Sequence, residues 1–265
     1  MALKWDDLKN KKEKVKMNKS MKLVAVLGLI LVLGACHATE KGDKAKASTP
    51  VKTHHEAINY DKQEDWEFAS GKMQSPINID SKKVDIMTPD KGEMTLNFGK
   101  KITKAENNGH SIQVTDSGQS TINGREFNLT QFHFHAESEH TVDGKHYPLE
   151  AHFVNQSQDG RIAVIGVFFK AGRENLGFKE VLADVASKKI DAITDIDKMI
   201  PQNKSFYHYL GSLTTPPLTE NVEWYLMKAP LEVSQAQLDA FKKLYAHNNR
   251  KIQPLNDRKI LAHDE

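Results

Sequence analysis

Apolar and polar residues alternate with a period of two in several stretches of this chain, the pattern of half-buried β-strands. Runs at Ser111–Thr115, Arg125–Glu137, Tyr147–Asn155, Ile162–Lys170 and Val222–Lys228 each predict a strand. Successive strand side chains point to opposite faces, so Phe132 and Phe134 share one face while Gln131, His133 and His135 share the other. The residues from Ile162 to Phe169 are apolar on both faces, which predicts a central strand covered above and below. Two stretches switch to helical spacing. Glu174–Ala186 places Phe178, Val181, Leu182 and Val185 at i, i+3, i+4 and i+7. Ser234–His247 opens with Ser234 and Gln237 as a capping box, with Val233 and Leu238 positioned as a staple. No second linker and no internal repeat follows residue 53, so residues 53–265 predict one mostly-β domain with peripheral helices.

The polar face of the second strand carries the chemistry. Side chains two apart on a strand are about 6.7 Å apart along it, so His133 and His135 can lean to one ion at about 2.0–2.1 Å per nitrogen. Asp143-Gly144 is a strong two-residue hairpin signal. A turn there pairs residues whose numbers sum to 287 and sets His135 opposite His152. Phe153, like Phe132 and Phe134, falls on the core face. Gln131 and Glu150 each lie two residues before a histidine, and either can accept a ring N–H and fix which nitrogen meets the metal. A single strand histidine is usually only a satisfied polar residue. Three that converge, with acceptors on the same face, predict a metal site, and three imidazoles leave a tetrahedral position open as in catalytic zinc.

The amino-terminal part reads differently. Residues 1–16 are lysine-rich, with Met17 or Met21 as an alternative start. Residues 17–36 combine a basic beginning, a short apolar run and small residues, the form of a secretory signal. The run ends Leu33-Gly34-Ala35-Cys36, which is similar to a bacterial lipobox and predicts lipidation of Cys36. Residues 37–52, rich in Lys, Ala, Ser, Thr and Gly, predict a flexible tether. The expected location is therefore extracytoplasmic, on a bacterial membrane. Cys36 is the only cysteine, so no intramolecular disulfide can form. The formal charge of +2 misleads: without the eight lysines and three acidic residues of 1–36, 37 basic and 35 acidic residues become 29 and 32. That balance gives no sign of a nucleic-acid surface.

From Gln74-Ser75-Pro76-Ile77-Asn78-Ile79 to Asn249-Arg250-Lys251-Ile252-Gln253-Pro254-Leu255-Asn256, the chain resembles a bacterial alpha-class carbonic anhydrase. Between these stand Asn108-Gly109-His110, Gln131-Phe132-His133-Phe134-His135, Ser138-Glu139-His140, Glu150-Ala151-His152 and Ser212-Leu213-Thr214-Thr215-Pro216-Pro217. Their joint order is far more specific than any one motif. The resemblance implies a large, twisted, ten-stranded mixed sheet with a zinc cleft, and reversible hydration of carbon dioxide to bicarbonate and a proton. His133, His135 and His152 match the zinc ligands. Thr214 matches the residue that accepts a hydrogen bond from zinc-bound hydroxide and donates its own proton to Glu139. Zinc lowers the pKa of its water from about 16 to about 7, a magnitude for which carbonic anhydrase is itself the reference case. The resemblance further implies a substrate wall of Val154, Val164, Leu213, Thr214, Thr215, Val222 and Trp224, and a proton shuttle at His110, whose ordinary pKa near 6.5 suits proton transfer in either direction.

The chain also departs from the family pattern. Ala136 follows the second ligand where vertebrate relatives carry Trp, and His54-His55-Glu56-Ala57 lacks the Trp and Tyr common near the cleft rim. His140 and Tyr209 match buttressing residues, while His146, His208, His247 and His263 read as surface or packing positions. Two other function classes compete. A non-catalytic binding relative usually lacks a zinc ligand, and all three are present here. A zinc esterase would use the same centre, but the narrow apolar wall favours a small linear substrate.

Overall fold

The stretch that is apolar on both faces forms the strand Ile162–Ala171, and both its faces are covered. Ala163, Ile165, Val167 and Phe169 enter one buried cluster, Val164 and Phe168 a second. The structure, a computed structural model, describes residues 58–66, 71–87, 93–98, 102–190, 193–194 and 196–265. The expected leader, the lipobox with Cys36 and the tether lie outside the described residues. One compact unit spans His54–Glu265. Among the described residues no helix is long and apolar enough to cross a membrane.

Six strands position the site: β1 Ile112–Thr115, β2 Arg125–His135, β3 Leu149–Gln156, β4 Ile162–Ala171, β5 Phe206–Ser212 and β6 Glu220–Met227. They lie side by side in the order β5, β6, β4, β3, β2, β1 within a mixed sheet of twelve strands. Only β4 and β6 run parallel among these six; the other neighbours are antiparallel. The excess over the ten strands implied by the resemblance comes from short pieces, such as Met94–Asn97, Gln119–Ile122 and Leu231–Val233, that pair beside the main path.

Helices α1, Leu176–Ser187, and α2, Gln235–Leu244, cover the phenylalanine face of β2. Phe134 lies 4.7 Å from Phe178 of α1 and 6.4 Å from Phe241 of α2 between ring centroids. The capping box predicted at Ser234 and Gln237 is present. Gln237 also bonds both backbone groups of Asn175, at 2.9 and 2.7 Å, and Asn175 caps α1. One side chain therefore starts α2 and ties it to the start of α1. Helix α2 stops at Leu244, short of His247, which sits in the irregular segment beyond it.

The hairpin expected at Asp143-Gly144 forms, with positive φ of 51° and 76° at its two central residues. Its pairs are Thr141 with His146 and Val142 with Lys145. The ligand strands do not continue that register. His152 pairs with His133, and Glu150 with His135, an offset of two residues from the expected pairing. The reason is the segment between the strands. After His135 the chain leaves the main sheet, and the hairpin joins Asn78–Ile79 in a separate three-stranded sheet. A two-residue shift keeps every side chain on its face, so the histidines still converge.

Candidate metal centre

His133, His135 and His152 come together on the sheet face opposite the phenylalanines. Ring centroids are 5.0 Å apart for His133 and His135, 5.3 Å for His133 and His152, and 4.6 Å for His135 and His152. One ring nitrogen from each lies within 4.8 Å of the others. The remaining nitrogen of each ring is committed elsewhere. His133 Nδ1–H donates to Gln131 Oε1 at 2.8 Å, and His152 Nε2–H donates to Glu150 Oε1 at 2.9 Å. His135 Nδ1–H donates to the backbone carbonyl of Asn248 at 2.6 Å. These three acceptors fix the tautomers so that Nε2, Nε2 and Nδ1 of the three rings have lone pairs to offer.

Two atoms there lack partners. His135 Nε2 and Glu139 Oε2 are both buried and neither makes a hydrogen bond. An unsatisfied buried polar atom costs about 1–3 kcal/mol, so the fold sustains a lone pair that nothing in the protein uses. A cation that prefers nitrogen ligands would satisfy it, and the three-imidazole donor set fits zinc. Electrostatics agree in part. Burial, reinforced by His135 and His152, holds His133 well below the ordinary histidine range. Burial also lowers His135, against the opposing pull of Glu139. Both are thereby kept neutral, as ligands must be. At His152 burial works in the same direction, but the adjacent Glu150 outweighs it and the net shift is upward.

Glu150 organises the ground behind the ligands. Its Oε1 accepts from His140 Nδ1 at 2.8 Å as well as from His152, and its Oε2 accepts the backbone N–H groups of Glu139 and His140 at 2.8 and 3.0 Å. Burial alone would raise this carboxyl, but His140 and His152 hold it well below the usual carboxylate range. His140 Nε2 in turn accepts from the Tyr209 hydroxyl at 2.7 Å. Glu139 Oε1 accepts the Arg250 N–H at 2.7 Å.

A cavity of about 280 Å3 opens over the histidines, lined by Gln131, His133, His152, Val154, Val164, Leu213, Thr214, Thr215 and Trp224 among others. Val222 does not line it; it is buried in the cluster behind, with Val164 and Trp224. Thr214 is buried at the wall, but it makes no bond to Glu139 Oε2. His110 lines a different cavity of about 440 Å3, together with Tyr60, Asp61, Tyr245, His247 and Asn248. It stays near enough to His133 to depress its pKa by charge. Cys36 lies outside the described residues.

Two contributors were not legible in the sequence. Asn248 holds His135 through a backbone carbonyl, while its side chain accepts from Ala136 N–H and donates to the carbonyls of His110 and Phe134. A carbonyl carries no residue signature, so only the run Asn248-Asn249-Arg250 could have pointed to it. Tyr60 supplies a buried, unpartnered hydroxyl, and burial followed by the charge of Glu139 raises its pKa strongly. An aromatic ring thus does stand on the amino-terminal side, three positions beyond the segment that lacks one.

The sequence model of the eukaryotic-type carbonic anhydrase family matches residues 59–264. A carbonic anhydrase of Neisseria gonorrhoeae is 36% identical over 225 residues, covering 79% of this chain and 88% of that protein. One from Klebsiella pneumoniae is 39% identical over 202 residues, covering 72% of this chain and 80% of its own. Among solved structures, the alpha-carbonic anhydrase from Thermovibrio ammonificans in complex with the inhibitor sulfanilamide is similar, with a TM-score of 0.68 and 43% identity. The match covers 72% of this chain and 87% of that one.

Proposed function

This chain belongs to the eukaryotic-type, or alpha, carbonic anhydrase family, and on that premise we propose that it interconverts carbon dioxide and bicarbonate at a zinc ion held by His133, His135 and His152. The observation that carries the reading is the unpartnered Nε2 of buried His135, facing two further imidazoles whose outer nitrogens are already engaged. Zinc, when bound, supplies Lewis acidity and a hydroxide nucleophile near neutral pH.

The protein's own groups have distinct tasks. Gln131, the Asn248 carbonyl and Glu150 orient the rings. Val154, Val164 and Leu213 are aliphatic and Trp224 spends its indole N–H on the Ser212 carbonyl at 2.9 Å, so this wall excludes water, which suits a small, linear, apolar substrate. We assign to Thr214 the relay role, its hydroxyl donating to Glu139 Oε2 when the centre is loaded; that oxygen has no hydrogen-bond partner here, and the bond is not made in this structure. That donation leaves the threonine oxygen only an acceptor, so it selects for a ligand that brings a proton. Thr215 extends the polar side of the wall. His110 takes the proton released in each hydration and passes it to buffer. We further assign residues 17–36 to an export signal, Cys36 to lipidation and 37–52 to a tether, so that the enzyme works outside the cytoplasm on a bacterial membrane.

Stopped-flow hydration of carbon dioxide, paired with metal analysis, tests the reading. The expected result is one zinc per chain, loss of turnover on chelation and recovery on adding zinc. Zinc-loaded protein that leaves carbon dioxide untouched would overturn it.

A further inference from the structure

The 440 Å3 cavity that holds His110 has a second imidazole on its wall, His247. His247 Nε2–H donates to Asp61 Oδ1 at 2.9 Å. The pair lies at the surface, with side chains 49% and 76% exposed. The neighbouring residue Asn248 reaches inward, donating from Nδ2 to the His110 carbonyl at 3.0 Å while its own carbonyl holds His135. The segment carrying Asp61 is fastened to the same stretch by Gln63, which donates to the Asn249 carbonyl at 3.2 Å and accepts the Lys251 N–H at 2.8 Å. A half-buried histidine and a solvent-facing, carboxylate-paired histidine therefore share one compartment whose other ionisable lining groups are Tyr60 and Tyr245.

From this geometry we propose that His247, paired with Asp61, is the outer station of the proton exit, receiving protons from His110 and delivering them to buffer. The proposal rests on the reading above. Asp61 accepts from Nε2–H and so leaves Nδ1 as the basic nitrogen. A proton leaving His110 through cavity water is taken up at His247 Nδ1. The imidazolium keeps its Nε2–H on Asp61, and the Nδ1 proton then passes to an external base, restoring the neutral ring. The tyrosines take no part: burial raises both far above neutrality. An inner histidine alone must meet buffer inside the compartment. An outer one about half exposed offers the proton at the surface.

The test is His247→Gln in the full chain, which keeps a donor for Asp61 but cannot titrate. kcat/KM for hydration counts steps only as far as bicarbonate release, whereas kcat includes proton export. In buffer at low concentration kcat should fall roughly two- to fivefold, a fraction of the 100-fold or more a primary acid–base group supplies. kcat/KM should not move, and added imidazole should restore kcat. Asp61→Asn should lower kcat in the same direction. Unchanged kcat in weak buffer would overturn the proposal. So would the same buffer dependence in Gln63→Ala, which loosens the segment without touching either imidazole and would reveal His247 as a clasp. If wild type itself fails to hydrate carbon dioxide, the parent reading fails. If wild type is active and His110→Ala is buffer-sensitive while His247→Gln is not, only this inference fails.

Discussion

The Glu150 carboxylate lies 2.9 Å from His152 Nε2, and burial of both groups makes that bond the anchor of the third ligand. Glu150→Gln retains one carbonyl oxygen but faces three further donors, from His140 Nδ1 and two backbone N–H groups, with an amide that is itself half donor. Loss of an outer acceptor of this kind costs about 10–100-fold in metal affinity. Competition with a chromophoric chelator should show zinc held that much more weakly, with turnover recovering at excess zinc. Unaltered affinity would mean that the ring is held by packing alone.

His110→Ala should slow hydration in weak buffer and recover in part with added imidazole, while kcat/KM stays close to wild type. The expected loss is about 100-fold in kcat, the lower end of what a positioned acid–base group contributes. Stopped-flow assays across a buffer series give the answer, and constant turnover at low buffer removes His110 from the exit route.

Glu223 should contribute to acid sensitivity. Burial raises this carboxyl, but hydrogen bonds from Arg125, at 2.6 and 2.5 Å, and from the Tyr225 hydroxyl, at 2.8 Å, bring the net shift downward. A carboxyl depressed on folding adds stability that is present above its unfolded value of about 4.3 and is lost as pH falls through the folded value. Removing one member of a fully buried pair costs about 3–5 kcal/mol. The Arg125 side chain is 38% exposed, so solvent screening reduces the expected loss for Glu223→Gln to about 1–2 kcal/mol. Denaturant titration should find that difference at pH 7 and find it shrinking below pH of about 4.

Ser234→Ala removes the hydroxyl that accepts the Gln237 N–H at the start of α2. N-cap losses of this type cost about 1 kcal/mol. Chemical unfolding should report that decrease with an unchanged denaturant slope, and hydration should be untouched because α2 covers the phenylalanine face, away from the histidines.

The alternation of Gln131, Phe132, His133, Phe134 and His135 separates ligand face from core face without reference to anything distant, and the structure keeps that division. The capping box at Ser234 and the hairpin at Asp143-Gly144 are equally local. The pairing of β2 with β3 is not. The 287 rule holds inside the hairpin, yet His152 pairs with His133 because Glu139 and His140 lie between the hairpin and β2 and turn their N–H groups to Glu150. Helix α2 likewise ends at Leu244, where its amphipathic pattern gives no stop signal.

Residue order alone was enough to say which side chains share a face, where the second helix begins and which residues could grip a metal, because strand and helix periods act over a few neighbours. It took the packed molecule to set which strand residues meet, that the Asn248 carbonyl holds a ligand 113 residues away, that Tyr60 feels the charge of Glu139, and that His110 shares a cavity with His247. Those relationships arise where distant segments pack against each other, and a backbone carbonyl or an empty volume leaves no mark on residue identity.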